Sequence, residues 1–438
     1  MRVFGIGKSR SCFIIATVVL LGVIACILFF PGGFNGTSQS ISGPFAHSVY
    51  IWQRDWGDHV KNAAMKASPQ IAGFIALAGE ISWNGQEMKF VSVPIDHQLL
   101  TETTKPTGLA LRIGPYPSSF KQNGPAVKRI AKIASELITI ARENKLEISE
   151  FQLDFDCPES KLNSYLHLIK AVRTEIGSVR LTMTALPSWL NHRSFARLAK
   201  ATDGYVLQVH SLERPKSIKE PITLCDPKAS HKWVQQAGRI GVNFQVALPT
   251  YGYLVAFNAN GKFIGLLAEG QGRNWDSETM LVKVSSNPIE IAALVAAWTH
   301  QRPECMKGVI WYRLPVETDE LNWRWITLST IIAGKIPTES LRVEVDHPEK
   351  GLAEIILVND GQTDQRADLQ INIQCQQQKV FASDGLRGYS IINTTAAGFT
   401  LTHDGSKAFS TIRPGQRLKT GWIRSEHEME IKAYVAKH

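Results

Sequence analysis

The chain has 438 residues, of which 44% are hydrophobic and 20% are charged, so it can bury a large core and is not a disordered protein. A single core rarely grows beyond roughly 250–300 residues, so the length predicts two domains. The formal net charge is +9, but the lysines and arginines are scattered, which argues against a nucleic-acid-binding surface.

A hydrophobic segment stands near the N-terminus. Residues 12–30, CFIIATVVLLGVIACILFF, run for nineteen positions without a charge, about the length that spans a bilayer as a helix. Basic residues precede the segment, which predicts a cytoplasmic N-terminus and the bulk of the chain on the periplasmic or extracellular side. An uncleaved anchor is favoured, while a lipid on Cys26 or a cleaved signal peptide remains open. We therefore expect an N-terminally anchored cell-envelope protein, with residues 1–35 as anchor or signal segment plus linker.

Strand-like apolar runs recur from residue 48, and most are followed by a helical pattern. The predicted strands are 48–54, 73–79, 108–114, 150–156, 180–186, 204–210, 243–249 and 308–314, with a hairpin after the second. The predicted helices are 125–144, 160–175, 193–201, 231–238 and 288–302. Eight such units predict an α/β fold, a (β/α)8 TIM-like barrel over residues 36–340, with an open doubly wound sheet as the alternative. No glycine-rich phosphate-binding motif follows an early strand, and no cofactor is expected.

From residue 341 the pattern changes to short alternating segments separated by turns, such as LRVEVDH and AEIILVND. This pattern predicts a small antiparallel, β-sandwich-like domain over residues 341–438. Cys157, Cys225, Cys305 and Cys375 show no metal-binding spacing, so no metal site is expected. Burial as small apolar residues is favoured over a disulfide for these cysteines, and the sequence does not pair them.

The candidate site lies at the end of the fourth strand, in EFQLDFDCPES. Period-two alternation places Gln152, Asp154 and Asp156 on one face, and Glu159 follows shortly after. Barrel active sites gather at the carboxyl ends of the strands, where two enclosed carboxylates repel each other. One of them then keeps its proton, as a general acid must. The candidate catalytic residues are therefore Asp156, Glu159 and Asp154.

Other strands contribute hydrogen-bonding and aromatic side chains to the same mouth, which suits a polyhydroxylated substrate. The candidate substrate-binding residues are Arg112, Gln152, Gln208, His210, Tyr251, Trp311, Tyr312, Trp52 and Arg54. Two structural alternatives stay open. Arg112 could pair with Asp154 as a buried network without chemistry, and His210 could be a core histidine.

Several motifs resemble known proteins. Asp154-Phe155-Asp156, the run LPTYG at residues 248–252 and GVIW at 308–311 resemble the chitinase-type retaining glycoside hydrolases, which carry a DxxDxDxE strand, an LPTYG strand and a final-strand tryptophan. The phrases YIWQRDW, QLDFDCPES, TALPSWL, ALPTYGY and WYRLPVETDELNW resemble an uncharacterised bacterial family of exported barrels with an added β domain. The resemblance implies the barrel fold and a glycan substrate.

The sequence departs from the chitinase pattern at several positions. The slot of the chitinase acid falls on Pro158, with Glu159 one residue later, and Tyr312 occupies the tryptophan slot. By resemblance, Asp156 would steer a substrate acetamide and Glu159 would protonate the leaving oxygen. We expect a glycoside hydrolase-like envelope protein that acts on a polysaccharide or glycan. A non-catalytic glycan-binding barrel in envelope or exopolysaccharide assembly is the alternative, and a scaffold with a plugged barrel is the third possibility.

Overall fold

A computed structural model describes residues 39–85, 87–212, 214–269, 275–405, 411–426 and 429–436. The hydrophobic segment at 12–30 lies outside these residues, so its role as an anchor or signal stays a prediction. Within the described part of the chain, no helix combines the length and the apolar character needed to cross a membrane.

Eight parallel strands close into a barrel. They are Ala46–Ile51, Gly73–Asn84, Thr107–Ile113, Ile148–Phe155, Leu181–Ala185, Gly204–Gln208, Phe244–Pro249 and Met306–Tyr312. Each strand pairs with the next, and the first pairs with both the second and the eighth, so the sheet has no free edge within the ring. The predicted TIM-like barrel is confirmed, and the open-sheet alternative is wrong because the ring closes.

A helix follows every barrel strand. The helices are Asp58–Ala67, His97–Glu102, Pro125–Glu143, Leu162–Ile176, Arg193–Lys200, Pro227–Gly238, Pro288–His300 and Trp325–Ile332. The longest shows how the sequence forms them: proline opens it, and Val127, Ile130, Ala134 and Leu137 place an apolar stripe toward the barrel at helical spacing. The sequence reading missed the first, second and last helices, which are short or, in the last, apolar on all sides.

Two additions to the ring shape the mouth of the barrel. The second strand continues into a hairpin with Glu87–Ser92, which confirms the predicted hairpin. After the seventh strand, a three-stranded antiparallel sheet forms from Gly252–Phe257, Phe263–Leu267 and Met280–Ser285. This inserted sheet was not predicted, because its strands are short and no helix separates them from the barrel strand before.

The C-terminal region folds into antiparallel sheets around a separate apolar core that includes Ile355, Leu357, Ile371 and Leu401. One sheet contains Leu341–Glu349, Leu352–Asn359, Val380–Gly385 and Arg417–Ser425; the other contains Gln370–Gln374, Tyr389–Thr395, Gly398–His403 and Lys432–Val435. Two short pairs complete the strands, Ser40–Ile41 with Arg302–Pro303 and Gln365–Arg366 with Thr411–Ile412. The predicted antiparallel β domain is confirmed.

The two regions meet at the last barrel helix. Arg324, just before that helix, pairs with the carboxylate of Asp364 through both Nε and Nη2, at 3.0–3.2 Å. Both side chains are largely buried, with 11% and 20% of their surfaces exposed. A buried ion pair with two contacts of this kind fixes the orientation of the two side chains, because breaking it would leave an unpaired charge buried away from water.

Candidate active site

A cavity of about 580 Å³ opens at the carboxyl ends of the barrel strands. Its walls come from seven of the eight strands or the residues just after them, from the helix Pro227–Gly238 and from the inserted sheet. The polar and aromatic side chains that line it include Tyr50, Trp52, Arg112, Asp154, Asp156, Thr184, Gln208, His210, Trp233, Tyr251, Tyr253 and Tyr312. The location is the one where barrel enzymes place their chemistry.

Strand register brings Asp154 into a polar row across the barrel wall. In that row Glu80 on the second strand pairs with Arg112 on the third, and Arg112 pairs with Asp154 on the fourth. Gln152 pairs with Thr182 on the fifth strand, so Thr184 lies level with Asp154. Parallel neighbours in register point to the same face, which is why these side chains meet.

Asp154 is held by two neutral donors. Thr184 Oγ1 donates to Asp154 Oδ1 at 2.9 Å, and Gln208 Nε2 donates to the same oxygen at 3.2 Å. Burial, followed by the charge of Asp156, raises the pKa of Asp154 to about 6, while Thr184, Arg112 and Gln208 oppose the rise. Asp154 can therefore exist as an acid or as a base near neutral pH, with Oδ2 free of these two bonds to carry the proton.

Asp156 lies one step farther out, just after the end of the fourth strand, and its side chain is exposed at the mouth. Partial burial against the cavity wall raises the pKa of Asp156, and the charge of Arg112 opposes the rise. Solvent reaches Asp156, so its pKa is raised less than that of Asp154. The two carboxylates thus share one cavity but differ in depth, which is how a pair of acids acquires separate roles.

Arg112 is engaged by Glu80 rather than by Asp154. Its Nη1 lies 3.5 Å from Glu80 Oε1, and Arg54 donates to both oxygens of the same glutamate at 2.5 and 2.8 Å. Burial acts to raise the pKa of Glu80, but Arg54 and Arg112 together hold it below its usual value. The structural alternative, in which Arg112 pairs with Asp154, is not what the structure shows: the two residues are register neighbours, but Arg112 forms its ion pair with Glu80.

Aromatic rings form much of the cavity wall. Tyr312 is central, with ring centroids 5.8 Å from Tyr50, 5.4 Å from Trp52 and 5.4 Å from Tyr251. Tyr253, from the inserted sheet, packs edge-on against Tyr251 at 5.3 Å. Burial raises the pKa of each of these tyrosines, so their hydroxyls stay neutral. The wall is therefore rich in neutral aromatic side chains, which suits sugar rings.

His210 lines the cavity beside this wall. Its Nδ1 lies 3.1 Å from the hydroxyl of Tyr251, and its ring stacks on Tyr312 at 5.6 Å. Burial lowers the pKa of His210 to about 4, so the ring is neutral near pH 7. Its Nε2 is buried and has no hydrogen-bond partner among the described residues. A buried ring nitrogen without a partner is costly unless a ligand or solvent molecule satisfies it.

Four of the predicted site residues lie outside the cavity lining. Glu159 stands on the surface with its carboxylate 3.0 Å from His192 Nε2. Gln152 is fully buried beneath the cavity, where it accepts from Tyr50 at 2.6 Å. Trp311 is also fully buried; its Nε1 donates to a neighbouring histidine, and Tyr312 faces the cavity instead. The fourth is Arg54, which follows the first strand. It is exposed and pairs with Glu80 on the second strand.

The remaining predicted residues come together: Asp154, Asp156, Arg112, Gln208, His210, Tyr251, Tyr312 and Trp52 all line the cavity. Sequence reasoning missed Thr184, Glu80, Tyr253 and Trp233. The alternation Thr182, Thr184 on the fifth strand was a usable signal for the first of these. Glu80 follows a register shift between residues 77 and 79, so simple alternation along the strand does not reach it.

A second cavity, of about 440 Å³, lies at the opposite end of the barrel. Glu150, Arg180 and Asp203 stand among its lining residues. Asp203 accepts from Arg173 and from the backbone of Leu181, so it is part of the structural wall. This end of a barrel commonly serves stability, and the cavity at the strand carboxyl ends carries the paired acids.

Residues 122–317 match the family model described as Domain of unknown function (DUF3142). Residues 342–426 match a second such model, Domain of unknown function (DUF8456). The first match covers the fourth to eighth barrel strands and so includes both aspartates of the cavity. These matches confirm the expectation of an uncharacterised family. A search of curated proteins found no match.

Solved structures similar to this chain include glycan-cleaving enzymes. The spore cortex-lytic enzyme SleL of Bacillus cereus has a TM-score of 0.47 at 9% identity, over 68% of this chain and 75% of that one. The chitinase ChiA74 of Bacillus thuringiensis has a TM-score of 0.41 at 10% identity, over 90% and 100%. A glycoside hydrolase family 18 N-acetylglucosaminidase of Paenibacillus barengoltzii has a TM-score of 0.40 at 12% identity, over 62% and 95%. The fold assignment above follows from the strand order itself.

Proposed function

We propose that this chain is a glycoside hydrolase-like protein that acts on a polysaccharide or glycan of the cell envelope through Asp154 and Asp156. The observation that carries the proposal is the pair of carboxylates at different depths in one aromatic cavity, the deeper one with its pKa raised to about 6. Glycoside hydrolysis uses two carboxyl groups, of which one is protonated and one ionised.

The pair can supply both forms because Asp154, with a pKa of about 6, can take up and release a proton near neutral pH. The protonated carboxyl gives its proton to the glycosidic oxygen while the bond from that oxygen to the anomeric carbon breaks. The ionised carboxylate takes a proton from the water whose oxygen bonds to the anomeric carbon, and the pair regains its starting proton count. Asp154, with its raised pKa, would be the proton donor, and Asp156, at the mouth, would be the carboxylate that activates the water.

The other lining groups have binding roles in this proposal. The tyrosines and Trp52 would stack on sugar faces, while Gln208 both holds Asp154 and borders the cavity. Arg112 would moderate the negative charge of the two aspartates, since it opposes the raised pKa of both. Glu159, bound to His192 outside the cavity, has no part in the chemistry.

A second candidate function is a glycan-binding barrel without hydrolysis. The observation that favours it is the position of Glu159, because the resemblance implied that this residue supplies the acid, and Pro158 occupies the slot before it. In such a barrel the carboxylates and rings would hold a sugar without cleaving it. An envelope location remains part of the proposal and rests on the N-terminal segment alone; fractionation of cells expressing the full chain tests it.

The experiment is glycan cleavage and binding by the full chain. Chitin, peptidoglycan, deacetylated and neutral polysaccharides are incubated with the wild type, Asp156→Asn and Asp346→Asn, and new reducing ends are counted. Asp346 is an exposed aspartate of the β domain and serves as a charge-matched control. Cleavage lost only in Asp156→Asn supports the hydrolase. Binding without cleavage, lost in the same variant, supports the glycan-binding alternative, and neither binding nor cleavage overturns both.

A further inference from the structure

The charge balance of the cavity carries an inference about the substrate. Among the described residues that line it, the charged ones are Arg112, Asp154 and Asp156, because His210 is neutral. Glu80 lies 3.5 Å from Arg112 and is also bound by Arg54, so the two arginines leave one negative charge uncompensated when Glu80 and both aspartates are ionised. The acids of the wall are therefore incompletely neutralised by the protein. Carboxylates in a cavity without a matched cation favour a ligand that brings positive charge.

The aromatic wall favours the same kind of ligand. Tyr50, Trp52, Tyr251 and Tyr312 present ring faces or edges in contact with one another around the same space. Aromatic faces attract cations through the negative charge density of the ring, most strongly where water is excluded. The neutral ring of His210 adds no opposing charge. A wall of carboxylates and aromatic rings is a suitable environment for an ammonium group attached to a sugar ring.

A separate observation points to a hydrogen-bonding ligand in this cavity. The Nε2 atom of His210 is buried without a partner among the described residues, while Nδ1 is fixed by the hydroxyl of Tyr251 at 3.1 Å. A neutral imidazole in either tautomer offers Nε2 as one donor or one acceptor. Because Nε2 has almost no accessible surface in this structure, a sugar hydroxyl reaches it only after a small movement of the lining. The ligand that fits the cavity thus combines hydroxyl groups with a cation.

We infer that the glycan held in this cavity carries free amino groups, so that polysaccharides containing deacetylated amino sugars are the preferred substrate class. The inference rests on the proposed function, because it names the substrate of the same site. A metal cation is a poorer fit: within the part of the chain that the structure describes, no group of three histidine, cysteine, aspartate or glutamate side chains is arranged to hold one. An acidic sugar would meet Asp156 at the mouth and be repelled.

The test is a titration of the full chain with four oligosaccharides of equal length. They are built from glucosamine, N-acetylglucosamine, glucose and galacturonic acid, and the titrations are run at a pH where the amine is protonated. We expect the glucosamine oligomer to bind about tenfold or more tightly than its N-acetylated counterpart, the effect of one well-placed charge contact. The galacturonate oligomer should bind most weakly, and rising salt should weaken the amine preference.

The same titrations with Asp156→Asn should bring the amine and N-acetyl oligomers within about twofold of each other, while Asp346→Asn keeps the wild-type ratio. An unchanged thermal midpoint for Asp156→Asn shows that it is folded. Equal or tighter binding of the N-acetylated or neutral oligomer by the wild type overturns the inference, as does an amine preference that survives in Asp156→Asn. If N-acetylated chains are bound and cleaved, only the substrate class is wrong. If no oligosaccharide binds and no polysaccharide is cleaved, the proposed function itself has failed.

Discussion

Replacing Asp154 by asparagine should stabilise the protein at neutral pH while removing its activity. The carboxyl has a pKa of about 6 in the folded chain, against 3.8 for the free side chain. A gap of roughly two units corresponds to at most about 3 kcal/mol by which folding disfavours the ionised form. Asparagine has no charge to bury, and its amide oxygen can still accept from Thr184 and Gln208. After a discount for solvent and for relaxation around Asp156, we expect a gain of about 1–2 kcal/mol.

The sign follows from proton linkage. Between about pH 4 and pH 6 the folded state holds a proton on Asp154 that the unfolded chain has lost, so this residue makes stability fall as pH rises through that window. The penalty is complete above about pH 6 and absent below about pH 4. Urea unfolding of the wild type and Asp154→Asn at about pH 7.5 should therefore show the gain, and at about pH 4 the two should coincide. A less stable Asp154→Asn at about pH 7.5 would refute the reasoning, because it would mean that the ionised form is favoured in the fold.

Three further predictions concern the neighbours of this group. Thr184→Val removes one donor to ionised Asp154, so the pKa of Asp154 should rise by about one unit. The limb of the pH–activity profile that depends on Asp154 should move to higher pH by the same amount, and an unchanged profile would contradict the role given to Asp154. Glu159→Gln should keep turnover within about twofold, since the glutamate binds His192 outside the cavity; a hundredfold loss would return it to the catalytic set. Arg324→Ala should lower the free energy of unfolding by about 3 kcal/mol, because it leaves the carboxylate of Asp364 buried and unpaired. Urea titration measures this change, and a loss under about 0.5 kcal/mol would show that the ion pair does not stabilise the fold.

The barrel could be predicted from the sequence because its signal repeats. Eight apolar runs, most followed by an amphipathic helix, fit few architectures, and one strand misjudged by a residue or two does not alter the count. The inserted sheet after the seventh strand lacks such repetition. Its strands, Gly252–Phe257, Phe263–Leu267 and Met280–Ser285, pair only among themselves, and Tyr253 reaches the cavity through that pairing. Tertiary pairing of this kind leaves little trace in local periodicity.

The site was predictable where alternation within one strand decides orientation. Period two placed Asp154 and Gln208 correctly in the cavity, yet it could not separate depth along the barrel, so Gln152 was expected at the mouth and lies below it. Glu159 could not be placed, because it stands beyond the strand at the start of a turn, and its contact His192 lies on a later segment of the chain. The pairing of Arg112 with Glu80 could not be predicted either, because Glu80 follows a register shift in another strand.

The most direct test of the account is the release of new reducing ends from the polysaccharide panel by the full chain, with Asp156→Asn alongside. The account predicts release from a polysaccharide rich in free amino sugars, and its loss in the variant while the fold stays intact. Release that persists undiminished in Asp156→Asn would contradict the assignment of the cavity carboxylates, and neither binding nor release across the panel would contradict the glycan function as a whole.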